Sequence, residues 1–547
     1  MSPGDEEPEG ALAPIVAPHR WAGAKQLVTS WSHASRYRWL IRAAVALGAA
    51  LRIRNWAADK SLWLDEIQIA NNLLTRGFGA LTRPLAELQA APIGWLWAQR
   101  LVIDIFGGSE LALRLFPLLA AVGGLIAFAF LARCVAGDAV AALATLLFAT
   151  SPYLIYYAAE VKQYSTDTTA VTIVLAVSVV AAQRQPSAQR MVFWGLACAT
   201  IAWFSFPAVP VSIACGAVLA ARWIRSRRDV AVFCIPGILL GASVVWEYLA
   251  TLRALGKNTT LNRFWQFVGG YPPPNGGDLH WLRRVTPAVI RNPGGLTWPL
   301  LAIALAVVGL VVLTRAQPPV AAIVCAPPAV AIVLALTHHY PLYQRLAVYL
   351  VPSLLLLVAT GSVALVSAAL RIPGAHRGPA WIACAAAAAL LVVATGRSVV
   401  TGIGKFATPD EITSGREAVQ FVADHLQAGD AVLVEYPWAV SNMTFYGRRY
   451  GLRATGTFRG RTGCNLDQLR PPGERPRVWI VFAHTGSNEP KDRAEIFLSH
   501  FEQQASLTQS YTGAGGAAAY LLNFARPPTH AQPALPMWRR DMCVSVG

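Results

Sequence analysis

Residues 111–156 read LALRLFPLLAAVGGLIAFAFLARCVAGDAVAALATLLFATSPYLIY. Two apolar runs, Leu111 to Leu131 and Ala139 to Tyr156, are separated by a short link that carries Arg133. Each run is near the length at which a helix crosses a hydrocarbon core of about 30 Å, and Lys or Arg in a short link is retained on the cytoplasmic side. The stretch predicts two membrane passes.

The same pattern extends in both directions. Candidate spans run from about Trp39 to Trp56, Thr168 to Ala182, Met191 to Phe206, Val209 to Arg222, Val230 to Leu252, Leu296 to Leu313, Val320 to Leu336, Leu346 to Ala369 and Pro379 to Val399. With the first two they make about eleven helices. Arginines recur in every second connection: Arg36, Arg38 and Arg42 at the first span, then Arg133, Arg184 with Arg190, the group Arg222 to Arg228, Arg315, and Arg371 with Arg377. This places the N-terminus in the cytoplasm and the loops 57–110, 158–167, 253–295 and 337–345 outside. The short span Val209 to Arg222 is the weakest of the set, and losing it would invert everything after it.

Composition agrees with lipid as the main solvent. Of 547 residues, 55% are hydrophobic and 14% charged, and the mean hydropathy is +0.43, which a soluble domain of this size seldom reaches. The net charge of +17 is spread through the links and forms no single basic block, so it speaks for membrane topology and against nucleic acid. No C-x-x-C metal spacing is present. Residues 1–38 form an acidic, then Pro/Ala-rich, then basic tail without a signal-peptide core. From about residue 405 to 547, alternating apolar strands and polar helices replace the apolar runs and predict a small extracytoplasmic α/β domain. Its elements are a helix in PDEITSGREAVQFVADHL, strands in AVLVEY, RVWIVFA and AAAYLLNFA, and a helix in DRAEIFLSHFEQQA. Cys464 and Cys543, alone in this domain in an oxidising compartment, are a disulfide candidate; the alternative is two unpaired thiols.

Chemistry concentrates in the outer loops. In SLWLDEIQIANNLL, Asp65 and Glu66 are adjacent carboxylates beside an apolar anchor, where partial desolvation favours a general base. Asp65 also sits where a helix cap would, so a purely structural role fits it equally. Further on, APIGWLWAQRLVIDIFGGSELALRLFP predicts a Trp-rich segment lying in the interface, followed by a span entered at Arg114, which snorkels or meets an anion. In YYAAEVKQYSTD, Glu160, Lys162 and Tyr164 gather an acid, a cation and a phenol able to grip a phosphate and a sugar; the bland reading is a solvated turn with a surface Glu–Lys pair. Arg52 and Arg54 stand at the outer end of the first span against the positive-inside tendency, which an anionic headgroup would explain. Arg345 and His338 lie at an outer helix mouth, and Arg263, Trp265 and Tyr271 in a Pro/Gly-rich segment suit a lid that stacks on sugar, or an aromatic belt.

These motifs, SLWLDE, GGSELALRLFP, YYAAEVKQY and YQRLAVYLVP, together resemble those of the GT-C superfamily of polyprenyl-phosphate-sugar-dependent glycosyltransferases, in particular the protein mannosyltransferases and lipid A aminoarabinose transferases of glycosyltransferase family 39. The resemblance covers most of the membrane part, residues 39–404. It implies a membrane enzyme of the cell inner membrane and carries the essential acid of the first outer loop onto Asp65. Relatives place an Arg where this chain has Lys162, which keeps a charge for phosphate and loses the bidentate fork. The reaction so implied is one inverting displacement from a polyprenyl-phosphate sugar to a hydroxyl of a lipid, glycan or protein acceptor in the envelope. Asp65 would be the base; Glu66 and Glu160 would position sugar or acceptor; Lys162, Tyr164, Arg345, Arg52 and Arg54 would contact phosphate. No cofactor is required, and a divalent metal on Asp65 and Glu66 is compatible with the scheme. A multi-span transporter or flippase is the alternative and predicts internal symmetry with charges at mid-span, neither of which is found; a scaffold displaying its outer domain is a third reading.

Overall fold

The computed structural model describes residues 35–253, 259–274, 276–369, 413–435, 438–458, 476–483 and 505–525, together with 396, 397, 399–404, 498 and 501. The predicted span Pro379 to Val399, the helix in DRAEIFLSHFEQQA and both Cys464 and Cys543 fall wholly or largely outside these residues. Among the described residues the chain is a helical membrane bundle carrying a small mixed sheet, and six helices are long and apolar enough to cross a membrane.

In chain order the helices that matter here are α1 (Ser35–Trp56), α2 (Leu64–Thr75), α3 (Ile93–Phe106), α4 (Leu115–Thr150), α5 (Tyr164–Ala182), α6 (Ala188–Ala202), α7 (Ala208–Trp223), α8 (Arg227–Glu247), α9 (Pro299–Ala316), α10 (Pro318–Leu336) and α11 (Val351–Ala369). The 36 residues of α4 are two limbs, because Ala136 and Gly137 leave helical geometry and Gly137 takes φ 78°. Contacts with α1 show that the chain reverses there. Trp56, at one end of α1, donates to the Leu111 carbonyl at 2.9 Å, Arg38 at the other end pairs with Asp138 at 3.0 Å, and Arg52 returns to the Ala149 carbonyl at 3.0 Å. The two predicted passes are thus one hairpin, turned at the only kind of residue that accepts this φ without strain.

Small residues let the apolar helices meet. A Cβ on Gly309 of α9 would lie 2.1 Å from the Leu357 carbonyl oxygen, and one on Gly361 of α11 would lie 2.0 Å from that of Leu305. With no hydrophobic drive between helices in lipid, such backbone approach supplies the dispersion contacts that hold them.

The loop 57–110 is a packed layer. Helices α2 and α3 bury Ile67, Ile69, Leu73, Trp95 and Leu96 in a core that also contains Trp479 and Tyr446 from the C-terminal region. Along α3, Trp97, Leu101 and Ile105 are exposed, an i, i+4, i+8 stripe on one face as an interfacial helix requires.

The sheet has strands β1 (Ala431–Glu435), β2 (Gly456–Phe458), β3 (Arg477–Phe482), β4 (Ser506–Thr512) and β5 (Ala518–Asn523) in the order β2-β1-β3-β5-β4. β1 pairs parallel with β2 and β3, while β5 is antiparallel to β3 and β4. The period of two divides each central strand between two cores. Val432, Val434, Trp479, Val481, Ala519 and Leu521 face the helix Gly415–His425 and residues 439–446, in the core they share with α2 and α3, while Leu433, Ile480, Phe482 and Tyr520 face Phe501 and Ala505. Three strands and the helix Gly415–His425 match the sequence reading. β4 escaped it because SLTQSYT is polar and lies mostly exposed at the sheet edge.

Ion pairs lock this domain onto the first loop. Glu110, whose side chain is 1% exposed, receives Arg416 at 3.2 Å and also Arg449. Arg416 further pairs with Asp59 at 3.1 Å, and its backbone N–H donates to the Ser61 hydroxyl at 2.8 Å. Removing the acid leaves two guanidinium groups short of a partner. Glu110→Ala is therefore expected to cost about 1–3 kcal/mol, read as an earlier thermal unfolding midpoint in detergent; an unchanged midpoint would show that the domain docks without this pair.

Candidate active site

The site begins at the N-terminus of α2. Trp63 is its N-cap, and the reciprocal acid three residues on is Glu66, which accepts the Trp63 N–H at 2.8 Å. The cap is therefore Glu66, where the sequence had offered Asp65. A capping acid satisfies an otherwise orphaned N–H and meets the positive end of the helix.

Glu66 does more than cap. Arg114 sets both guanidinium arms on it, at 3.1 and 2.9 Å, and the Val161 N–H donates at 2.8 Å. The same arginine donates to the Lys60 and Ser61 carbonyls. Both side chains are nearly sealed, at 4% and 3% exposure. Arg114 consequently does not snorkel; it meets the anion that the alternative reading required. One buried pair joins the first loop, the entry to α4 and the connection before α5.

Four N–H donors occupy the lone pairs of Glu66, which are all a carboxylate offers. Glu66 has no lone pair left for a divalent metal for that reason, and among the described residues no group of three or more His, Cys, Asp or Glu is arranged to hold one.

Asp65 lies one residue earlier in the same first turn of α2. Its carboxylate meets Arg345 at 2.8 Å, with side chains 25% and 32% exposed. Arg345 arrives from the 3-10 turn Gln344–Leu350 that leads into α11. An acid and a cation are thus held together at a position open to a ligand.

The connection around Glu160 is buried, against the alternative of a solvated turn: Glu160 is 8% and Lys162 7% exposed. Lys162 donates to Gln89, not to Glu160. Burial pulls its ammonium below the usual lysine range, and the Asp65 charge partly restores it. Arg345, Glu160 and Glu66 act on it too, which places all four charges around one amine. Burial, reinforced by the Glu66 charge, pushes the Glu160 carboxyl up to about 8, and Tyr156 hydrogen-bonds to it. The Tyr164 ring stands edge-on to Tyr157 at 5.3 Å, and both are buried beside Glu160.

Arg52 is a correction. It is fully buried and donates to the carbonyls of Gly48, Ala149 and Phe148 at 2.9, 3.0 and 3.1 Å, so it neutralises the negative end of α4 and is closed to a lipid phosphate. Arg54 is half-buried in the last turn of α1. The lid residues are brought beside the site in part. Tyr271 stacks at 5.1 Å on His338, and Trp265 approaches Tyr343, two residues from Arg345, at 6.1 Å; Arg263 is exposed. Two polar groups escaped the sequence reading. Lys60 donates to Asn55 at 2.8 Å and lies 5.7 Å over the Tyr156 ring; its signal was a cation immediately before SLWLDE. Gln89, the partner of Lys162, gave none.

Residues 90–248 match the family described as dolichyl-phosphate-mannose-protein mannosyltransferase. The chain is similar to the crystal structure of ArnT from Cupriavidus metallidurans in the apo state, at TM-score 0.52 and 14% identity over 87% of this chain and 97% of that one. The same protein bound to undecaprenyl phosphate gives 0.52 and 13% over 89% and 98%. At these identities the likeness shows a shared fold, that of the GT-C glycosyltransferases. The apo oligosaccharyltransferase of Archaeoglobus fulgidus shares the GT-C fold at TM-score 0.52 and 12% identity, over 88% of this chain and 74% of that one. No curated protein matches by sequence. The chain is a multi-pass membrane protein.

Two outcomes test the division of labour. Glu66→Gln leaves Arg114 buried without its counter-ion and is expected to cost about 3–5 kcal/mol, whereas Asp65→Asn breaks a half-open pair worth about 1 kcal/mol or less; equal losses in detergent unfolding would contradict the assignment. Glu160 gives a pH signature. Its carboxyl ionises near 4.5 when unfolded and near 8 when folded, so between these values the folded state holds the extra proton and stability falls as pH rises. Unfolding midpoints across that window should show the slope, and Glu160→Gln should flatten it.

Proposed function

We propose that the chain transfers a sugar from a polyprenyl-phosphate donor to a hydroxyl of an envelope acceptor, on the outer face of a bacterial-type inner membrane, in one inverting displacement. The observation that carries this reading is the half-open Asp65–Arg345 pair at 2.8 Å with the Lys162 ammonium in the same charge cluster. ArnT, similar in fold, has been solved with undecaprenyl phosphate bound, which supports a lipid carrier here.

The chemistry needs a base and cations. The acceptor oxygen attacks the anomeric carbon and gives its proton to an Asp65 carboxylate oxygen. The bond from that carbon to the phosphate oxygen breaks, and the electron pair leaves with the polyprenyl phosphate. Charge growing on the leaving phosphate is met by Arg345 and Lys162, which need little reorganisation because Gln89 and Asp65 already hold them. As the phosphate takes Arg345, Asp65 is released toward the acceptor, so donor binding arms the base. Glu160, hydrogen-bonded to Tyr156, positions the sugar. Loops 253–295 and 337–345, joined by Tyr271 and His338, cover the acceptor side. Arginine-bearing links at the other end of the bundle support the outer placement.

Asp65→Asn is expected to lower transfer about 100- to 10,000-fold while the protein folds and binds carrier lipid. In cells lacking the chain, mass analysis of envelope glycans should show a missing sugar that wild type restores and Asp65→Asn does not; full restoration by the variant would refute the base. Retained anomeric configuration in the product would refute the single displacement.

A further inference from the structure

A cavity lies away from the Asp65 cluster. It encloses about 650 Å³ between the first limb of α4, the far end of α5 and the first turns of α6, within the range of about 300–1,000 Å³ usual for small-ligand sites. Tyr164 begins the 19-residue α5 in the catalytic cluster, and the cavity starts at Ala176 and passes the end of that helix. A helix of this length spans roughly 28 Å, so the two sites occupy opposite ends of the bundle.

The lining is two-part. Phe130, Val177, Val180 and Phe193 make an apolar wall, and Arg184 and Arg190 stand at its rim. No acidic residue is among the lining residues. Arg190 donates to the Gln185 carbonyl, which fixes one guanidinium without neutralising it. Asp138, in the hairpin turn of α4, is taken by Arg38 and Arg133 at 3.0 and 2.7 Å. The wall opens sideways, with Phe130 51% and Phe193 67% exposed on helices of the membrane bundle. Its floor is firm, because Trp194, 5% exposed, donates to Ser178 at 2.8 Å and stacks on Phe233 at 5.8 Å.

We infer that this groove binds one anionic phospholipid, its phosphate between Arg184 and Arg190 and its acyl chains along Phe130, Val177, Val180 and Phe193. Charge complementarity selects an anion, since two cations face the opening with no lining carboxylate between them. The sideways apolar wall selects a lipid over a soluble phosphate, because those rings face hydrocarbon and only chains entering from the bilayer cover them. The occupant wedges α4, α5 and α6 together at the end where short links alone connect them. The inference does not depend on the catalytic reading.

The full chain, delipidated in detergent, is titrated with phosphatidylglycerol and separately with phosphatidylcholine, and bound lipid is counted by native mass spectrometry. Wild type should retain one phosphatidylglycerol at least roughly tenfold more tightly than phosphatidylcholine, and the exposed double variant Arg184→Gln, Arg190→Gln should lose that preference. Glycerol phosphate, which has the anion without the chains, should fail to displace the lipid. Equal retention of the two lipids, an undiminished preference in the variant, or displacement by glycerol phosphate would each overturn the proposal.

Discussion

A buried ion pair between Glu66 and Arg114 governs the arrangement of the site. Sealing two charges away from water costs several kcal/mol per ion, recovered only where the remaining donors and acceptors are also satisfied. Here they are, through the Trp63 and Val161 N–H groups on one side and the Lys60 and Ser61 carbonyls on the other. Glu66 is fully engaged in this pair, and the proposed chemistry falls to its neighbour Asp65, which meets Arg345. Successive residues on a helix point about 100° apart, so the side chain next to the staple turns out of the core and meets Arg345.

The C-terminal sheet gives that staple its backing. One face of β1, β3 and β5 reaches α2 and α3 through the helix Gly415–His425 and residues 438–447, and Arg416 and Arg449 converge on Glu110, four residues before Arg114. Loop, bundle and sheet therefore form a continuous solid around the acid pair, open where Asp65 and Arg345 reach solvent. Catalysis by positioned charge depends on such rigidity, since dipoles that must reorganise during reaction stabilise little.

The membrane fold was legible because apolar length and arginine placement are strong, additive signals. The hairpin of α4 could be read from Arg133 and the turn residues beside it, and the central strands from their alternation. What the sequence could not apportion was the work of adjacent or similar charges. Asp65 and Glu66 are equivalent in the string, and only the approach of Arg114 from 48 residues away gives Glu66 its structural role. Arg52 breaks the positive-inside pattern and so suggested a lipid phosphate, yet it answers carbonyls of α4 that are distant in sequence. The buried setting of Glu160 and Lys162 was hidden for the same reason: burial is supplied by segments that local composition does not reveal.

A structure of the chain with undecaprenyl phosphate bound would decide the matter most directly. The phosphate should lie within hydrogen-bond distance of Arg345 and Lys162, with Arg345 drawn from Asp65 and the Glu66–Arg114 pair undisturbed. A phosphate seated away from both cations, or one that takes Arg114 from Glu66, would contradict the separation of the structural acid from the reactive one.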